Sequence, residues 1–92
     1  MHEQLIQAIQ LRHRIQFTYN GVLRTGEPQC YGVGNKGTTL LRVYVLQGSS
    51  QPEPLFDVSK IKDLVLLDTF FAKPGPNYKK GDSAMKVIYA EL

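Results

Sequence analysis

The sequence has a single cysteine, Cys30, so no disulfide can form within the chain. Its only histidines are His2 and His13, too few to complete a Cys/His ligand set at metal-binding spacing. Long apolar runs are missing as well. The longest strictly apolar one is Leu64 to Leu67, far short of the ~20 residues that a membrane helix needs. Glu3 and the lack of an apolar stretch near the start argue against a secretory signal. The expectation is a cytoplasmic protein with no membrane partner, no metal and no cofactor.

Catalytic signatures are equally scarce. No H-E-x-x-H stretch exists. Cys30 has no histidine near it in sequence and reads as a small buried residue. Gly32-Val33-Gly34 leads into a turn rather than a helix, so it cannot aim helix N-terminal amides at a phosphate. Asp57, Asp63 and Asp68 are spread over strand and turn with lysines among them, as on a solvated face. No enzymatic activity is expected.

What is present fits one small domain. The chain has 92 residues, of which 42% are hydrophobic and 21% charged, a globular balance rather than a disordered one. Folding at this size buries about 60–65% of the chain's surface, so stability is modest. The net charge of +3 is unevenly spread. Residues 1–50 hold every arginine, with only Glu3 and Glu27 as acids, whereas lysines and acids balance after residue 50. Arginine's flat fork suits phosphate and aromatic rings, which hints at an anionic partner; a small positive charge also serves solubility alone.

The hydrophobic period predicts the elements. Leu5, Ala8 and Ile9 follow helical spacing, which predicts a helix over 3–13. Ile15, Phe17 and Tyr19 then alternate with polar residues as in a half-buried strand, and Asn20-Gly21 signals a tight hairpin. The return strand runs from Leu23 to Tyr31, with Gly26 and Pro28 predicting a bulge or an edge. Thr38 to Leu46, Leu55 to Val58 and Lys62 to Asp68 read as three further strands, the last expected to be covered on both faces through Leu64–Leu67. Five short antiparallel strands after one helix predict a mainly β (α+β) domain curled into a small barrel over 1–71. Leu5, Ile9, Ile15, Phe17, Leu41, Val43, Val45, Phe56 and Leu66 are its expected core. A C-terminal extension, 72–92, begins with a Gly/Pro-rich loop. Met85, Val87 and Tyr89 then alternate, which predicts a possible sixth strand with one buried face, paired to the barrel edge or to another copy.

Several of these segments share an order and spacing with a known family. Ala8-Ile9, Ile15-Gln16-Phe17-Thr18-Tyr19, Gly21, Arg24 and Glu27-Pro28 resemble the opening of the WYL domain family. Leu40-Leu41-Arg42-Val43-Tyr44 resembles that family's central strand, and Phe56, Val58, Lys60 and Ile61 its following segment. The tripeptide that names the family falls on Thr39, Leu40 and Leu41, of which only the leucine agrees. The resemblance implies an Sm-like (SH3-like) barrel. It also implies a ligand-sensing module of bacterial transcription regulators or phage-defence proteins, binding nucleotides or single-stranded nucleic acid. Arg24 matches the family's R-x-v-e-P arginine, and Lys60 stands where the family has a cation.

Four residues therefore make the expected site: Arg24, Arg42, Tyr44 and Lys60. Arg42 and Tyr44 lie two residues apart on one strand face, about 6.6–6.8 Å, where a guanidinium can grip a phosphate beside a ring that stacks a base. The competing reading is that Arg42 pairs with Glu27 or another acid and that Tyr44 covers apolar surface. Tyr78-Lys79-Lys80 offers a further phosphate contact or plain surface. The functional alternative is a protein-interaction or self-association module that uses a strand edge and the tail.

Overall fold

Helix α1 (His2–Gln10) exists because Leu5, Ala8 and Ile9 fall on one side of it, and all three are buried. It stops short of the expected His13. Arg12 takes a left-handed backbone with φ of 59°, and its carbonyl accepts from the Phe71 amide at 3.0 Å. That tie draws the chain into strand β1 (His13–Tyr19) one turn early. Asn20 and Gly21, with φ of 51° and 75°, form the two-residue turn whose twist suits a hairpin. They lead into β2 (Val22–Gly34), and Tyr19 pairs with Val22. Then follow β3 (Thr39–Gln47), β4 (Leu55–Asp57), a 3₁₀ turn (Val58–Lys60), β5 (Lys62–Phe70) and β6 (Met85–Glu91). The computed structural model describes residues 1–92.

The protein is mainly β, with one short helix and one antiparallel sheet of six strands. The sheet runs β4-β3-β2-β1-β5, and β6 lies beside β2. The expected closed five-stranded barrel is corrected on both counts: there are six strands, and β4 and β5 do not pair, so the sheet stays open. Strand β2 carries the arrangement. Its first half pairs with β1 as far as Ile15↔Gly26, and its second half pairs with β6 from Cys30↔Glu91. Pro28 lies in the gap between these partners, where its missing N–H costs no ladder bond to β1 or β6. The register with β3 slips between Pro28 and Cys30, as the interruption in the sequence suggests.

The core gathers Leu5, Ala8 and Ile9 of the helix with Ile15, Phe17, Tyr31, Leu41, Val43, Phe56, Ile61 and Ala90. Phe17 and Phe56 meet edge to face at 5.0 Å between ring centres. Val45 and Leu66, expected inside, are half-buried at its margin. Strand β5 is not covered on both faces as expected. It pairs with β1 alone, and Val65 is 51% exposed.

The C-terminal segment is built into the same unit, since β6 pairs with β2 and Ala90 enters the core. Its buried face differs from the predicted one. Met85 and Ala90 are buried, whereas Val87 and Tyr89 are exposed. Register slips at Tyr31/Gly32 and Val33/Gly34 insert extra residues into β6 and reset its alternation.

Phe17→Ala is expected to destabilise the fold by roughly 3–5 kcal/mol, because it empties a fully enclosed site against Phe56, and chemical denaturation measures this directly. Truncation after Asp82 removes β6 together with Ala90, and the melting temperature is expected to fall. An unchanged melting temperature would mean that β6 contributes nothing to the core.

Candidate functional site

Strand β3 alternates. Leu41 and Val43 point into the core, so Arg42 and Tyr44 point outward. The segment from Phe71 to Ala84, which joins β5 to β6, crosses over this outward face as a strap. Its close approach is set at Gly75. A Cβ there would stand 2.9 Å from the Tyr44 ring and 2.9 Å from a Glu53 carboxylate oxygen, so no larger residue fits without movement. The Gly75 amide donates to Gln29 Oε1 at 2.6 Å, and Gln29 Nε2 donates to Glu53 Oε1 at 2.8 Å. Two residues further on, the Asn77 amide donates to Glu53 Oε2 at 2.9 Å. Two side chains thus receive alternate strap amides much as a neighbouring strand would, which settles Gln29 although it is buried.

The strap's far end is fixed by charge. Arg42 Nε donates to Asp82 Oδ2 at 2.9 Å and Nη2 to Oδ1 at 3.2 Å, while Nη1 donates to the Glu53 carbonyl at 3.0 Å. This two-pronged geometry is the strong form of an arginine–carboxylate pair. The side chains of Arg42 and Asp82 are only 28% and 11% exposed, so water screens them poorly. The Arg42 hydrogen bonds hold the Asp82 carboxyl below the ordinary carboxylate range. Tyr78 donates its hydroxyl to the Leu92 carbonyl at 2.6 Å, and the Gly81 amide donates to Glu91 at 2.7 Å, which ties the strap to β6. Burial first, then Asp82 and Glu91, pushes the Cys30 thiol up to about 12, so it stays protonated and unreactive at neutral pH.

Strap and sheet enclose a cleft of about 400 Å³, lined by Arg42, Glu53, Asp82 and the run Asn77 to Gly81. Lys79 and Lys80 stand exposed on its rim. Neither has an acid within ion-pair distance; the two salt bridges in the protein are Arg42–Asp82 and Arg14–Glu27.

The four expected site residues are not brought together. Arg42 and Tyr44 are adjacent on the outward face, but Arg42 is paired with an acid, Asp82 rather than Glu27, and Tyr44 lies under Gly75. Arg24 is on the opposite face, which corrects the expectation of a single arginine-bearing surface. It sits across from Phe17, with its guanidinium 5.6 Å from the ring centres of both Tyr19 and Phe56. It donates to the Tyr19 carbonyl at 3.2 Å, and its buried Nε has no partner. Lys60, on the 3₁₀ turn, lines a separate depression of about 260 Å³ with Thr18, Asn20 and Lys62. Gln29, Glu53, Asn77 and Asp82 were not foreseen. The Gln29–Glu53, Gly75–Gln29, Asn77–Glu53 and Arg42–Asp82 hydrogen bonds span 24 to 46 residues, and no local pattern reports such pairing.

No protein-family model, curated protein or solved structure matches this chain. No group of three or more His, Cys, Asp or Glu side chains is arranged to hold a metal ion, and no helix is long and apolar enough to cross a membrane.

Asp82→Asn tests the latch through pH. A carboxyl held low when folded contributes stability above its ordinary value, near about pH 4, and that contribution is lost as pH falls through the folded value. The variant is therefore expected to melt lower than the wild type at neutral pH. The gap should close in acid below about pH 4. Thermal unfolding across pH measures it, and a gap independent of pH would show that the pair's charge adds nothing.

Proposed function

We propose that this protein is a small non-catalytic binding module for nucleotides or single-stranded nucleic acid, with its ligand in the cleft between the strap and the β2–β3 face. One observation carries the reading. The fold draws Arg42 of β3 and the Lys79-Lys80 pair of the strap onto one concave surface, and both lysines lack an acid partner. Two unpaired lysines beside the Arg42–Asp82 pair on a concave polar wall suit phosphate, and the half-buried Tyr78 ring beside them suits a base. The setting, bacterial transcription regulation or phage defence, rests on the WYL-like residue pattern, as does the view of the sheet as an opened Sm-like barrel.

A protein-interaction or self-association module is the second reading. It draws on the unpaired outer edge of β5, where Val65 and Phe70 are exposed. That edge also carries Lys62, Asp63 and Asp68, a left-handed Asp63 with φ of 55°, and two register slips against β1. Charges and bulges of this kind keep edges from pairing, and β6 is already paired with β2. The ligand reading is the better supported.

Fluorescence anisotropy with labelled single strands at several salt concentrations, and with nucleotides as competitors, tests it. Affinity is expected to fall steeply with salt. Removing one phosphate-binding lysine, in Lys79→Ala or in Lys80→Ala, should shallow the log–log slope by about 0.7. Arg24→Ala is expected to leave the slope unchanged, because Arg24 lies on the other face. Lysine variants that bind like the wild type would remove the cleft as the site.

A further inference from the structure

The Arg42 fork is already occupied. All three of its nitrogens have acceptors, and two of them hold the two oxygens of Asp82. A ligand that takes the Nε/Nη2 edge of Arg42 must therefore displace a carboxylate from it. Protonation does not clear the way at neutral pH, since Arg42 keeps the Asp82 carboxyl below the ordinary range. The acids that face the cleft are Asp82 and Glu53, and Glu53 is committed to Gln29 and the Asn77 amide.

This inference rests on the cleft reading above and decides which phosphate the cleft accepts. An internal phosphodiester carries one negative charge, as a carboxylate does. Exchanging it for Asp82 on Arg42 gains no charge and leaves a mostly buried carboxylate without its partner. A phosphate monoester carries about −1.5 to −2 at pH 7 and three acceptor oxygens. It can meet Arg42 and the unpaired Lys79 and Lys80 together. Asp82 has room to yield, because its neighbours Gly81 and Ser83 are both exposed.

We propose that Asp82 is a built-in competitor that makes the cleft select terminal phosphate monoesters, at the end of a strand or on a mononucleotide, over internal phosphodiesters. Its place on Arg42 sets a threshold of charge that only a dianionic group exceeds. Release of Asp82 removes the charged tie between the strap and β3, while the Gly81–Glu91 and Tyr78–Leu92 bonds keep the strap on β6.

The test compares one single strand with a 5′-phosphate and the same strand with a 5′-hydroxyl, using the full chain. Wild-type protein is expected to bind the phosphorylated strand at least roughly tenfold more tightly, about 1.4 kcal/mol. Adenosine monophosphate should compete for the site if the nucleotide alone suffices; failure to compete, with the tenfold preference intact, assigns the strand end as the source. Asp82→Asn is expected to lose the discrimination by gaining affinity for the hydroxyl strand. Equal affinity of the wild type for both strands would overturn the inference, and that comparison needs no variant to fold. Full discrimination retained by Asp82→Asn would overturn it as well. Failure of both proteins to bind any of these probes would instead overturn the cleft reading on which it rests.

Discussion

Every part of this protein depends on one strand having to serve two partners in succession. Strand β2 is 13 residues long, longer than any single neighbour can cover. It gives its first half to β1 and its second half to β6, while β3 follows it on the other side through a register slip. Pro28 stands where the partners change, and the slip bends the strand there. The bend wraps the sheet around Phe17, Leu41, Val43 and Phe56 and lets the helix close the core from one side.

Two kinds of force divide the work. Apolar burial holds α1 and the six-stranded sheet together, whereas the strap, anchored at its start by buried Phe71, is tied down beyond Gly75 by hydrogen bonds and an ion pair. Buried apolar packing of this kind resists small changes in solvent, whereas a charged latch responds to anions, salt and acid. The protein thus places its most responsive interactions over a concave surface that carries unpaired cations.

Much of the fold is legible in the sequence because its signals are local. Asn20-Gly21 specifies a hairpin through backbone geometry, and the alternation of Ile15, Phe17, Leu41 and Val43 specifies which faces turn inward. The helix end is not legible, because Arg12 is held by Phe71, far along the chain. Nor is the exposed face of β6, because bulges interrupt an alternation that the sequence displays as unbroken. For the site, the sequence points to Arg42 and Tyr44 as a pair on one strand face and to Lys79-Lys80 as a cationic pair. It cannot show that Asp82, 40 residues from Arg42, closes on that arginine, nor that Arg24 turns inward to stack on Tyr19 and Phe56.

The late position of β6 in the chain has a dynamic consequence. The β1–β2 hairpin closes over two residues, whereas Cys30 must wait for Glu91 before its half of β2 gains a second neighbour. Pairing between distant segments carries the larger loop-closure cost, so β6 is expected to dock after the hairpin has formed. Before it docks, the backbone of β2 from Cys30 to Gly34 lacks its second neighbour, and the core that holds Phe17 lacks Ala90. The distal half of one strand is thus completed from the far end of the chain.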